Sequence, residues 1–256
     1  MIDSQIHVAI KSYKRPDSVT TIKAFPFAYI WVPESQAADY EANYPGRIIS
    51  IPDDLDGNLC RKQNAILDRA PTETGCPWIL ILDDDITRMC YYESGEHIPM
   101  DPTHMRAFVE HHFCLADQLG VKMWGVQQNQ DPLGHYTYRP FSLLSPILGP
   151  FHGHLDHDLR FDEYLDLKED YDFWLRMIIR HRFTLRANKY HYHHRHAQGT
   201  GGQVSMRTMK RELDAIDRLI ARYGPKVIRP GGSAGGKGAK GNNILNTFVR
   251  INIPGT

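Results

Sequence analysis

Apolar residues in this chain come in short runs separated by stretches of helical spacing, and that alternation sets the expected architecture. Ile6-His7-Val8-Ala9-Ile10 predicts a strand, ended by Ser12-Tyr13-Lys14-Arg15-Pro16, where proline removes a ladder donor. Ala28–Val32 predicts a second strand closed by Pro33, Ala37–Tyr44 a short helix, and Arg47–Ile51 a third strand. Leu59–Ala70 reads as a helix. Trp78-Ile79-Leu80-Ile81-Leu82 is apolar throughout, the pattern of a strand covered on both faces in a parallel sheet. Strands alternating with helices predict a βαβ architecture.

Asp101-Pro102 opens a further helix, with Asp as cap and Pro at the first helical position, and Gly120 closes it. Val121–Val126 is a strand candidate, Asp170–His181 a helix, and Arg182–His196 an extended segment. Ser205–Tyr223 predicts the last helix, with Met209, Leu213, Ile216, Ile220 and Tyr223 on its apolar face and Gly224-Pro225 at its end. Pro230–Asn243 is mostly glycine and lysine, cannot bury apolar surface, and is expected to be a loop. No internal repeat is visible.

Composition narrows the class. With 41% hydrophobic and 23% charged residues over 256 positions, the chain matches an ordinary globular protein with ample material for a core. No apolar run approaches transmembrane length. The opening Met1-Ile2-Asp3-Ser4-Gln5 lacks a signal-peptide pattern, so the cytoplasm is the expected address. Cys60, Cys76, Cys90 and Cys114 show no metal-type spacing along the chain, and reduced thiols are expected. Charge is divided. Residues 1–175 hold 14 Lys and Arg against 27 Asp and Glu, a balance of −13; residues 176–256 hold 16 against 3, a balance of +13. A basic third suggests a polyanionic partner, and mutual neutralisation across the fold is the alternative.

Candidate chemistry begins at Asp83-Asp84-Asp85, directly after the buried strand. Ligands of open α/β sheets bind at the carboxyl ends of strands, and hard oxygen ligands there suit Mg²⁺ or Mn²⁺ that also meets substrate phosphates. An acidic turn capping the next helix is the plainer reading. A second acidic group, Lys168-Glu169-Asp170-Tyr171-Asp172, stands at a helix start, where carboxylates also complement the helix dipole. Tyr190-His191-Tyr192-His193-His194-Arg195-His196 follows. On a strand, His191 and His193 share one face and His194 and His196 the other. Zinc is a rival reading of these histidines, with no accompanying cysteine evident from the spacing.

Together these elements resemble the GT-A glycosyltransferase fold, a Rossmann-like mixed sheet flanked by helices, across roughly residues 6–200. The resemblance implies that Ser12, Tyr13, Arg15 and Pro16 form the turn receiving the nucleotide base. It implies that Arg61, in Arg61-Lys62-Gln63-Asn64, lies near the donor diphosphate, and that Asp83 and Asp85 are the DxD pair, with Asp84 between them on the donor side. Asp85 and one of His193 or His194 are then the expected metal ligands, and Asp170 the expected general base, with Glu169 or Asp172 as alternatives. Gln198–Gln203 looks like a lid over the donor. The expected organisation is one catalytic domain over 1–256: a nucleotide-sugar half to about residue 90, an acceptor half over about 91–200, and a basic helix and loop over 201–256.

Ser-Tyr-Lys-Arg-Pro, Leu-Asp-Asp-Asp-Ile, Lys-Glu-Asp-Tyr-Asp-Phe-Trp and the His-rich strand are similar to the TET-associated glycosyltransferase family of DNA-modifying bacteriophages. That similarity implies a UDP-sugar donor, 5-hydroxymethylcytosine in DNA as acceptor, and the host cytoplasm as location. The basic third and the Gly-Lys loop 231–241 offer DNA contacts. Tyr136, Tyr138 and Phe141, near His135 and Arg139, are either lining for an extruded base or ordinary core. A polysaccharide or protein acceptor would need no basic tail; a non-enzymatic DNA-binding module would have no use for Asp83–Asp85 and Asp170 together.

Overall fold

The computed structural model describes residues 5–128, 137–165, 167–195, 208–230 and 247–251. Strands β1 (Ile6–Lys11), β2 (Tyr29–Pro33), β3 (Ile48–Ile51) and β4 (Trp78–Asp83) alternate with helices α1 (Thr21–Ala24), α2 (Ala37–Asn43) and α3 (Leu59–Thr74). A hairpin of β5 (Ile86–Glu93) and β6 (Glu96–Pro99) follows, then α4 (Met105–Gln118), β7 (Met123–Gln127), β8 (Phe141–Ser142) and β9 (Phe151–Leu155). Helix α5 (Glu169–His181), β10 (Leu185–His194), α6 (Met209–Tyr223) and the small pair β11 (Ile228–Pro230) and β12 (Thr247–Val249) complete the order.

Ten strands form one mixed sheet in the order β3-β2-β1-β4-β9-β7-β10-β5-β6, with β8 paired to β10. The first four are parallel, β4 pairs antiparallel with β9, and β9 antiparallel with β7. This Rossmann-like half joined to a mixed half, with helices on both faces, is the expected GT-A class of α/β fold. The alternation of side chains explains the apolar runs. Val8, Ile10, Leu80 and Leu82 face one core with Phe113 of α4, and Ala9, Ile79 and Ile81 face the other with Ile66 of α3 and Phe173 of α5. Each such buried aliphatic side chain contributes roughly 1.5–3 kcal/mol. Residues 78–82 therefore have no polar face to show.

Local signals account for the helix ends. Asn58 caps α3 by accepting the Arg61 N–H (2.8 Å), and Gly75 ends it at φ +71°. The helix runs one turn past the expected Ala70, carrying Pro71 inside. Asp101 accepts the Thr103 N–H, but Pro102–His104 form a short 3₁₀ turn before α4 begins. The expected apolar stripe of α6 is displaced: Met209 is 55% exposed, whereas Glu212, Ala215, Ile216 and Leu219 are buried. Glu212 turns inward because Lys168 meets it at 3.0 Å. Ser205–Arg207, the expected start of that helix, lie outside the described residues, as does the 231–241 loop. Among the described residues no helix is long and apolar enough to cross a membrane.

One close approach fixes the insertion of β9. Gly153 lies opposite Trp124 in the ladder, and a Cβ at Gly153 would come within 2.1 Å of the indole Nε1. Gly153→Ala is expected to destabilise the protein by about 1–3 kcal/mol through overpacking of this buried ring, read as a lower urea midpoint at unchanged slope.

Candidate active site

The parallel register brings the ends of β1 and β4 together, with Lys11 opposite Asp83. Their side chains form an ion pair at 2.9 Å, and Lys11 Nζ also donates to Gln63 Oε1 at 3.1 Å. The acidic turn that follows is fixed through its backbone. Thr20 N–H donates to the Asp84 carbonyl (2.8 Å), the Thr21 hydroxyl to the Asp83 carbonyl (2.6 Å), and Arg195 N–H to the Asp85 carbonyl (3.0 Å). Three carboxylates thus stay in a fixed arrangement despite their mutual repulsion.

The three aspartates differ in what their carboxylates meet. Asp84 is buried and turned inward, accepting from Ser12 Oγ (2.5 Å) and pairing with Arg15 Nη1 (3.0 Å). Burial raises its pKa, opposed by these two partners. Since Ser12 gives its proton to Asp84, the Tyr40 hydroxyl must be the donor in the 2.8 Å contact with Ser12 Oγ, and it accepts from Arg15 N–H at 2.9 Å. Burial pushes Tyr40 up to about 12, so it stays protonated. Asp83 and Asp85 instead remain partly open, with side chains 36% and 23% exposed. Among the described residues, Asp85 Oδ1 is buried without a hydrogen-bond partner.

Strand β10 settles which histidine faces this turn. His194 pairs with Ile86 in the ladder, and its Nδ1 lies 3.8 Å from Asp85 Oδ2; the hydrogen bond and charge of Asp85 raise the His194 pKa. His193 is on the other face, near His97 and His191. Asp85 with an orphaned oxygen, Asp83 and an imidazole form a mainly oxygen donor set that fits Mg²⁺ or Mn²⁺. His196 and residues 198–203 lie outside the described residues.

Helix α5 brings the second acidic pair. Lys168 stands at φ +60° just before it, a costly conformation for a side-chain-bearing residue, and the first turn then presents Glu169 and Asp170. Asp170 Oδ2 accepts from Gly149 N–H (3.0 Å) and Oδ1 from Tyr171 N–H (2.8 Å). Both carboxyls line a cleft floor, open to solvent on one side and enclosed by protein. That enclosure raises both pKa values; Asp170 raises Glu169 further, and Lys11 opposes the rise in each. Gly149 at φ +72° passes close to Tyr192, whose hydroxyl would lie 3.1 Å from an added Cβ. Asp172 faces inward, held by Arg176 (2.8 Å), Arg222 (2.5 Å) and the Tyr223 hydroxyl (2.6 Å).

On α3 the structure draws in Lys62 rather than Arg61. Arg61 reaches outward to Glu163 at 3.1 Å with 47% of its side chain exposed. Lys62 is buried, pairs with Asp56 at 3.1 Å, donates to the Ser12 carbonyl, and lies 5.4 Å from the Tyr13 ring. Tyr13 is 40% exposed, with Lys14 over it at 5.1 Å. Lys62→Met should cost about 3–5 kcal/mol, because it strands the buried Asp56 charge; Arg61→Ala should cost at most about 1 kcal/mol. Paired urea melts check both. Lys11, Lys62, Gly149 and Tyr192 carry no motif of their own, and only the proline-flanked Gly149 leaves a trace, as a turn signal.

Of the aromatic residues proposed for base binding, Tyr138 is 75% and Phe141 41% exposed, which removes them from the core. Tyr136 and His135 lie outside the described residues. A cavity of about 690 Å³ opens at the amino end of the same parallel strands, lined by Ile6, His7, Tyr29, Arg47 and Arg106, away from the carboxylates.

Two crystal structures of TarS residues 1–349 from S. aureus, one in complex with UDP, resemble the chain with a TM-score of 0.47 each. Identity is 13% and 14%; each match covers 73% of this chain and 59% of that one, so the chain spans less than two thirds of TarS 1–349. No curated protein sequence matches it. The model of the family described as TET-Associated Glycosyltransferase matches residues 6–203. That span includes every motif residue assembled above, and the chain belongs to the TET-associated glycosyltransferase family.

Proposed function

We propose that this glycosyltransferase moves a sugar from a UDP-sugar to the hydroxymethyl group of 5-hydroxymethylcytosine in DNA. The observation that carries the reading is the meeting of two acidic groups, Asp83–Asp85 with His194 and Glu169–Asp170, at the carboxyl ends of β1 and β4 around Lys11. In this reading the half-exposed Tyr13 ring, flanked by Lys14 and Lys62, stacks on the base, while Ser12, Arg15 and Asp84 hold the turn that presents it. Asp83 meets the ribose or the metal; Asp85 and His194 hold Mn²⁺ or Mg²⁺. A bound divalent ion there neutralises charge on the departing diphosphate. Asp170 takes the proton of the acceptor hydroxyl as its oxygen bonds to the anomeric carbon and the bond to the UDP oxygen breaks.

The acceptor rests on family membership and on the basic third, and the ion pairs temper the second support. Arg180 pairs with Asp158, Arg176 with Asp172, and Arg222 with Asp162 and Asp172. Part of the positive balance is therefore neutralised within the fold, which favours a second reading in which the acceptor hydroxyl belongs to a polysaccharide or protein. Lys210, Lys226 and Arg229 remain exposed for phosphates, and Lys237 and Lys240 are candidates outside the described residues. The deciding experiment measures UDP release and sugar transfer with duplexes that differ only in cytosine or 5-hydroxymethylcytosine. Transfer to the modified duplex, weakening steeply with salt, is expected. Transfer to neither duplex, with robust transfer to a glycan or peptide, would establish the second reading.

A further inference from the structure

Strand β10 has a second face with a different chemistry. His191 and His193 point away from Asp85, toward the β5–β6 hairpin, which contributes Cys90 and His97. Cys90 lies directly opposite His191 in the ladder, so their side chains emerge side by side. One donor atom from each of Cys90, His191 and His193 falls within 4.8 Å of the others. His97 Nδ1 lies 2.8 Å from His191 Nε2, and its ring centroid is 6.0 Å from that of His193. Cys90 and His191 are fully buried, and Tyr92 stacks on the His191 ring at 4.4 Å. Among the described residues, His193 Nε2 is buried with no hydrogen-bond partner.

The donor set is nitrogen and sulfur, with no carboxylate in it, which disfavours Mg²⁺ or Mn²⁺ and favours a borderline-soft ion. Zinc takes four such ligands at about 2.0–2.3 Å, so its ligand atoms stand roughly 3.3–3.8 Å apart. The observed cluster needs only side-chain rotation to contract to that size. We propose that Cys90, His97, His191 and His193 form a structural zinc(II) site, separate from the carboxylate site on the opposite face of β10. Coordination takes Cys90 as thiolate and releases its proton to solvent. The ion ties the β5–β6 hairpin to β10 and so fixes the strand whose other face presents Tyr192 and His194.

The test uses the full chain purified without a metal column, under reducing conditions, supplied with zinc and then passed over gel filtration. Elemental analysis should find one zinc per chain in the wild type and in the Cys114→Ser and Asp85→Ala variants. Cys90→Ser and His191→Gln should lose it. Cobalt(II) as a spectroscopic stand-in should give a thiolate-to-metal band in the near ultraviolet that vanishes in Cys90→Ser. Should the buried variants fail to fold, the half-buried His97→Gln serves: its zinc affinity, read against a chromophoric chelator, is expected to fall at least about tenfold. No zinc retained by the wild type, or retention undiminished in Cys90→Ser or His97→Gln, overturns the proposal.

Discussion

Replacing Asp170 with Asn is expected to lower turnover by about 10²–10⁴-fold, the loss typical of a general base, while UDP binding survives. Asn is nearly isosteric, and its amide oxygen can still accept the Gly149 N–H that now reaches Asp170 Oδ2, so the cleft keeps its shape. What disappears is a place for the acceptor proton. The pH profile adds a readout that a structural role would not move. Enclosure raises Asp170, and it raises Glu169 with help from the Asp170 charge. A base acts only when ionised, so the rate should rise with pH through a limb lying above the ordinary carboxylate range, and that limb should be lost in Asp170→Asn. Near-normal turnover with the limb intact would move the role to Glu169. Asp172 is a poorer substitute, because Arg176, Arg222 and Tyr223 already occupy its carboxylate.

Asp85→Ala is expected to remove activity and metal-dependent UDP binding while leaving the fold intact. The turn does not depend on this side chain: Arg195 holds the Asp85 carbonyl, and Thr20 and Thr21 hold the two residues before it. Asp85 Oδ1 has no protein partner among the described residues, so its removal orphans nothing. The His194 pKa, raised by this carboxylate, should fall in the variant, a shift that NMR titration can follow. Asp84→Ala is the contrasting control. It strips Ser12 and Arg15 of their shared acceptor and should destabilise by about 1–3 kcal/mol. Full turnover of Asp85→Ala in the presence of EDTA would sink the metal assignment.

How much of this was legible beforehand depended on where the information sits. The strands ending at Lys11, Pro33, Ile51 and Asp83 are buried in the parallel half and announce themselves as apolar runs. Strand β9 does not: Phe151-His152-Gly153-His154-Leu155 has two apolar residues flanking histidines and a glycine, and its place between β4 and β7 exists only in three dimensions. The β5–β6 hairpin was missed as well, although Ser94 and Gly95, both at positive φ, form the kind of turn such a pair needs. Without that hairpin, Cys90 and His97 could not be placed beside the histidine-rich strand. Asp83–Asp85 and Asp170 were visible because carboxylates cluster in sequence. Lys11 was not, since its role comes from register alone. Arg61 and Lys62 differ by one helical step of about 100°, which is enough to exchange outside for inside and is finer than pattern reading resolves.

The position of β9 in the sheet has a consequence for biosynthesis. Strand β4 has β1 on one side, but its other side stays unpaired until residues 151–155 have been made, because β9 is its partner there. At about 5–20 residues per second, the synthesis of residues 84–151 leaves that edge open for roughly 3–14 s. The exposed segment is Trp78-Ile79-Leu80-Ile81-Leu82, uncharged, rich in isoleucine and free of proline, the kind of edge that recruits foreign strands. The acidic turn waits longer still, since the backbone of Asp85 is completed by the N–H of Arg195. A nascent chain therefore carries its stickiest strand uncovered through much of translation, and soluble yield should be governed by holdase chaperones and elongation rate more than by the stability of the finished enzyme.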